Sequence, residues 1–362
     1  MKIKNKKLKI GIVTFHWGTN YGGVLQSFAL QSFLKRQGFD VQIINFAPTS
    51  YRDSFLRCFR ARKLKTVISN IKNYSKEKNI DKFRKEYLNL TARYSSLDEV
   101  KANTVSFDCL ITGSDQVWNP YGIQTHGLVY FLPFGGNKTK KMSYAASFGC
   151  VNYPKDVMKK IKPLITKFNA ISVREKSGLD ILNKEGFNDL KLLPDPTLLL
   201  DKVDYINLMG PNKPAKTKYG FFYTLQPNQK TMDSIYNGVS MKIKTISTLN
   251  IQSRTMGIEQ WLRTIYNSEF VITNSFHGVI FSLLLNKNFI VVPIEGSLVG
   301  MNDRIYTLLD RFNLRNRLIE RYDEETIFYE INSPIDWDSI HKAQKELQEE
   351  ALSFFSENLS NN

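Results

Sequence analysis

The chain has 362 residues, 42% of them hydrophobic, and a formal net charge of +16. That composition excludes a disordered chain, and the length exceeds what one core usually spans, so two domains are expected. The best apolar run, residues 279–285, is far short of the ~20 residues a membrane-crossing helix needs.

The basic stretch 1–7 runs into a strand-like segment without the apolar core of a signal peptide. The three cysteines, Cys58, Cys109 and Cys150, form neither a disulfide framework nor a zinc pattern. Both features predict a cytoplasmic protein. Residues 9–15 form a buried-strand run, followed by the loop His16-Trp17-Gly18-Thr19-Asn20-Tyr21-Gly22-Gly23. Apolar residues at 24, 25, 28, 30, 33 and 34 predict a helix over 24–37 with Gly38 as cap, and 41–46 is the next strand. This βαβ order implies a parallel sheet with a right-handed crossover.

Further strands are predicted over 107–112, 141–146, 170–173 and 190–193. A polar linker covers 210–218. A second series follows: strands over 219–224 and 242–247, a helix over 258–266, a strand over 270–273, a helix over 276–285 and a strand over 289–292. A polar helix over 340–352 and a disordered tail close the chain. The expectation is α/β: two doubly wound Rossmann-like domains facing a cleft, GT-B-like, over 1–209 and 210–335, with 336–362 as a C-terminal helix and tail.

In open α/β sheets, ligands bind beyond the carboxyl ends of strands, where polar clusters stand in this sequence. Gly113-Ser114-Asp115-Gln116-Val117-Trp118-Asn119-Pro120 combines a carboxylate, two carboxamides and an indole. Sugars are held by that mixture, hydroxyls on planar polar groups and ring faces on aromatics. Asn20, Tyr21 and Gly22 open a helix without dinucleotide or Walker spacing; the loop is either a plain turn or a close backbone approach to a sugar or phosphate. Arg174 can fork onto a carboxylate or phosphate or form a salt bridge, and Asp195 can orient a neighbour or cap a turn.

Thr273-Asn274-Ser275-Phe276-His277-Gly278 is a strand-to-helix junction. Asn274 or Ser275 can cap the helix, whose free N–H groups and positive dipole end suit a phosphate. His277 in that first turn is either a satisfied helix-start histidine or an acid/base of group transfer on a sugar.

Between Arg52 and Glu86 stand twelve Lys/Arg against four acids, half of the net charge. With aromatics interleaved near Phe55 and Phe59, this stretch is either a solvated helical excursion or a surface for an anionic membrane.

Taken jointly, these motifs resemble the polysaccharide pyruvyl transferase family. The resemblance rests on Ile12-Val13-Thr14-Phe15 with Asn20-Tyr21-Gly22-Gly23, on 113–119, Ser143-Tyr144-Ala145-Ala146-Ser147-Phe148-Gly149, Ser172-Val173-Arg174-Glu175, Asp195-Pro196-Thr197 and 274–278, spanning about residues 8 to 315. It implies phosphoenolpyruvate as co-substrate, no cofactor or metal, and a ketal-linked pyruvate on a sugar. It implies His277 in catalysis and arginines at the donor; Asp115 is the lesser candidate, for taking the sugar hydroxyl proton, and Arg174, Asn274, Ser275, Gly278 and Arg304 are expected at the donor. Asn20, Tyr21, Gly22, Gln116, Trp118 and Asn119 are expected at the acceptor, with Asp195 supporting. Many members carry an arginine two residues before the histidine; Ser275 stands there, so Arg174 or Arg304 must balance the donor phosphate. The acceptor is expected on a polyprenyl diphosphate at the inner face of the membrane. Nucleic acid is not an expected partner. Two other readings are a GT-B glycosyltransferase with a nucleotide-sugar donor and a non-catalytic module that binds anionic ligands.

Overall fold

The computed structural model describes residues 7–47, 64–211, 215–225, 233, 235–237, 239, 249–250, 255–319 and 323–360. The predicted strand over 242–247 and the basic stretch 52–63 lie outside them. Two compact units divide the chain, Met1–Leu199 with Gln348–Asn362, and Leu200–Leu347.

The first unit is built on a six-stranded parallel sheet in the order β2-β1-β3-β4-β5-β6. The strands are β1 (Lys9–Val13), β2 (Asp40–Ile43), β3 (Cys109–Thr112), β4 (Lys140–Ala146), β5 (Ala170–Val173) and β6 (Lys191–Leu192). Their apolar residues run almost without interruption because helices cover both faces. Successive strands leave β1 in one direction and β3 in the other. The switch point therefore lies between these two, which pair from Ile10↔Cys109 to Val13↔Thr112. A core of Val13, Leu110, Trp118, Phe131, Phe148 and Val173 lies against this sheet.

The second unit repeats the plan with four parallel strands in the order β10-β9-β7-β8. They are β7 (Gly220–Tyr223), β8 (Leu249–Asn250), β9 (Phe270–Thr273) and β10 (Asn288–Val291). The switch point here lies between β7 and β9. The helix Phe276–Leu284 follows β9 and is buried at all nine positions, as its all-round hydrophobic sequence requires.

The structure moves several boundaries. The first helix is Tyr21–Arg36, so Tyr21, Gly22 and Gly23 are helical rather than loop, and the Asn20 side chain caps the helix by accepting from Gly22 N. The helix Lys202–Met209 falls in the second unit. It is held there by Tyr205 edge-on against Phe281 at 4.9 Å and by Arg263 donating to the Met209 carbonyl. The last helix runs Trp337–Leu359. Its final turns belong to the first unit because Phe355 stacks on Tyr144 at 4.8 Å and meets Phe33 at 5.9 Å.

Gly220 pairs with Phe270 on the neighbouring strand. A Cβ at 220 would lie 2.3 Å from the Phe270 ring, which covers the backbone where a side chain is missing. Gly220→Ala is expected to destabilise the second unit by roughly 1–3 kcal/mol through overpacking, measured as a lowered urea midpoint.

Candidate functional site

Candidate residues gather at the switch point of each unit. In the first unit the backbone leaves β3 and turns sharply, with Asp115 at φ +66°. Its carboxylate Oδ1 accepts from Gln116 N at 2.8 Å and lies 3.7 Å from the Arg174 guanidinium. Arg174 is 3% exposed and pairs with Asp195 at 2.7 Å. Glu175 lies 3.9 Å from its Nε. Burial alone would weaken the guanidinium's hold on its proton, but Asp195, Asp115 and Glu175 outweigh it and raise the pKa above the ordinary arginine value. A cation enclosed by three carboxylates has its charge more than offset within the fold. Arg174, expected at the donor, ties the strand ends together here.

Asp195 bridges its neighbours: one oxygen takes Arg174 and the Ser114 hydroxyl, the other takes Thr197 N and Oγ1. Two residues not singled out from sequence complete this frame. Glu175 Oε1 accepts from Ser147 Oγ, Phe148 N and Gly149 N at 2.7–3.1 Å. Gln26 donates to Thr14 Oγ1 and Gly23 O, and its Oε1 accepts from Ser114 N, bridging β1 to β3. The sequence signals were an acid directly beside Arg174 and a glutamine on the buried side of the first helix.

The acceptor residues divide. Trp118 is fully buried, stacks on Phe131 at 5.7 Å, and donates its Nε1–H to Tyr130 O. Tyr21 is 1% exposed with Lys76 Nζ 4.4 Å above its ring. Neither ring presents a face to a sugar, and both are corrected to core residues. Asn20 is exposed, and Gly22 is buried in the first turn beside it. Asn119 caps the helix Pro120–His126. Gln116 and Asn119 converge over Gly149: a Cβ there would lie 2.3 Å from Gln116 Nε2 and 3.1 Å from Asn119 Nδ2.

In the second unit, Asn274 spends both ends of its carboxamide on Leu225 N and O, closing the gap between β7 and β9. Ser275 is the N-cap, its Oγ accepting from Gly278 N at 3.3 Å. These residues shape the junction. His277 is 5% exposed and meets the Phe276 ring edge-on at 5.3 Å. The Arg304 guanidinium lies 5.6 Å from the centre of the same Phe276 ring, and its Nε donates to Met301 O. Histidine and arginine thus share one aromatic neighbour at the positive end of a buried helix.

His16 lies beside the first cluster, 1% exposed, its ring nitrogens 3.1 Å from Thr14 O and from Asn45 Oδ1. Burial lowers its pKa to about 4, against the two hydrogen bonds and with help from Arg84 and Arg93. Stability from keeping this ring neutral is complete above the unfolded value of 6.5. It declines as pH falls toward 4, because the unfolded chain takes up a proton that the folded chain refuses. Wild-type protein is expected to lose as much as about 3 kcal/mol over that interval from this group, and urea melts should show a shallower loss for His16→Gln.

A family model for polysaccharide pyruvyl transferase matches residues 20–297. No curated relative gives a match. Among solved structures, the fold is similar to UDP-GlcNAc 2-epimerase from Methanocaldococcus jannaschii, at 10% identity, over 96% of this chain and 100% of that chain, with TM-score 0.52. UDP-GlcNAc 2-epimerase from Neisseria meningitidis, bound to UDP-GlcNAc, is similar at 9% identity over 96% and 100%, with TM-score 0.51. At such identities the likeness concerns the fold alone: two Rossmann-like units of the GT-B-like kind.

Proposed function

We propose, because the chain belongs to the polysaccharide pyruvyl transferase family, that it transfers pyruvate from phosphoenolpyruvate to a galactose-type residue of a lipid-linked polysaccharide precursor as a cyclic ketal. The observation that carries this reading is the His277–Phe276–Arg304 grouping at the start of the buried helix. It pairs a proton-transfer group with a cation, which is what a phosphorylated enol donor demands.

In this mechanism His277 protonates the methylene carbon of the donor, making the adjacent carbon electrophilic. A sugar hydroxyl attacks that carbon and its proton passes to Asp115. The bond to the phosphate oxygen breaks, and the second hydroxyl closes the ring. One C–H and two C–O bonds form, one C–O bond breaks, and inorganic phosphate takes the remaining proton. Arg304 and the helix start hold the donor phosphate, Arg304 standing in for the arginine that Ser275 replaces. The chemistry as written uses no metal and no cofactor.

Incubation with phosphoenolpyruvate and a lipid-linked galactoside should release phosphate and add one pyruvyl group by mass. His277→Ala should lower turnover by about 100-fold or more, the usual scale of acid–base help. Arg304→Gln should raise the KM for phosphoenolpyruvate by about tenfold, the loss of one charge-assisted contact. Undiminished turnover in His277→Ala, or thermal stabilisation by UDP-GlcNAc but not by phosphoenolpyruvate, would overturn the proposal.

The second part of the reading concerns location, at the inner face of the membrane. No helix among the described residues is long and apolar enough to cross a membrane. The helix Leu64–Tyr87 nevertheless exposes Ile68 and Ile71, at 46% and 53%, together with Lys72, Lys78, Lys82 and Lys85. Two apolar side chains beside a row of ammonium groups suit an anionic lipid surface. Binding to phosphatidylglycerol vesicles should weaken with salt and drop strongly in a Lys72/Lys78/Lys82/Lys85→Gln variant. Vesicle binding unchanged in that variant would remove the helix from the reading.

A further inference from the structure

After β1 the chain runs through Phe15, His16, Trp17 and Gly18 along the carboxyl end of the first sheet, at its switch point. His16 turns inward, while Trp17 remains only half-buried. The indole is nonetheless held by three neighbours. Its Nε1–H donates to the Tyr130 hydroxyl at 3.1 Å. Its ring meets Phe15 at 5.9 Å and His126 at 5.0 Å, both edge-on. Tyr130 braces Phe15 at 4.8 Å, and His126 lies 5.6 Å from Phe15.

The backbone around Trp17 is held as firmly as the ring. Arg84, 5% exposed, donates Nε–H to the His16 carbonyl at 2.6 Å and another N–H to the Gly18 carbonyl. One guanidinium therefore grips the peptide on both sides of Trp17. Trp118 and Trp261, by contrast, are fully sealed. Trp17 keeps surface open to solvent while its rotamer is fixed in advance, which lowers the entropy a ligand must overcome on binding.

The chemistry around it suits a sugar. A Cβ at Gly23 would lie 3.0 Å from Asp115 Oδ2 and 3.2 Å from Phe15 O, so the Asp115 carboxylate borders the loop that carries Trp17. Exposed Asn20 follows three residues later. A half-buried indole on a loop bordered by a carboxylate, with an exposed carboxamide three residues on, matches a pyranose, with its C–H face and its rim of hydroxyls.

We propose that Trp17 is the platform on which the acceptor sugar stacks, braced by Phe15, His126 and Tyr130. This rests on the pyruvyl-transfer reading for the identity of the sugar, but not for the platform itself.

The test uses the full chain and two variants, Trp17→Phe and Trp17→Ala, with circular dichroism to confirm folding. The first measurement is acrylamide quenching of tryptophan fluorescence with methyl β-galactoside or lactose as probe. Trp118 and Trp261 are sealed, so quenching reports on Trp17 and the half-buried Trp337. Sugar should protect wild-type protein from quenching and leave Trp17→Phe unprotected. The second is the kinetic split: Trp17→Ala should raise the acceptor KM by about tenfold, leaving the KM for phosphoenolpyruvate unchanged, with Trp17→Phe in between. Sugar protection that persists in Trp17→Phe, absence of protection in wild type, or a wild-type acceptor KM in Trp17→Ala would overturn the platform. If phosphoenolpyruvate supports no turnover, the transfer reading falls, and the quenching measurement still decides the platform.

Discussion

Three carboxylates converge in the interior of the first unit, and Arg174 is what allows them to stay there. Asp115, Glu175 and Asp195 would each be costly to bury alone, and removal of one partner from such a cluster typically costs about 3–5 kcal/mol. Around the guanidinium they become anchors instead. Asp195 brings the segment after β6 to Ser114 behind β3, and Glu175 gathers three donors from the turn after β4. Four strand ends are thereby fixed relative to one another. The polar loops that follow β1 and β3 have a rigid floor because this charge balance closes beneath them.

Much of the fold was legible because buried parallel strands announce themselves as unbroken apolar runs. The strands at 170–173 and 270–273 and the helix at 258–266 fall where their periodicity puts them. The start of the first helix was misjudged because Gly22 and Gly23 read as loop residues. A glycine at 23 fits a helix here because the Asp115 carboxylate approaches too closely for a larger side chain to sit easily. Such a reason comes from a residue ninety positions away and has no local trace. The length of the last helix was hidden similarly, since Phe354 and Phe355 meet Tyr144 on β4, and Phe355 meets Phe33 on the first helix, both far away in the sequence.

Among the candidate residues, the kinds of side chain were legible and their directions were not. Gln116, Trp118 and Asn119 stand within four residues, yet the indole enters the core while the carboxamides meet over Gly149. Composition alone cannot separate these, because a strand-end loop reverses direction at nearly every residue. Arg174 and Arg304 present the same problem in reverse. From sequence Arg174 and Arg304 were both candidate donor cations, and three carboxylates surround Arg174. Arg304 looked remote and is the one that shares an aromatic neighbour with His277.

The grip of Arg84 has a consequence for how this protein can vary. The helix that bears this arginine and the turn after β1 are far apart in the chain but form a single mechanical part, joined at the His16 and Gly18 carbonyls. A chimera that imports the lysine-rich helix of a relative would have to import a matching guanidinium at the same turn, or leave the first βα junction unsupported. The helix Leu64–Tyr87 is thus hard to exchange, because its last turns hold the inner loop in shape.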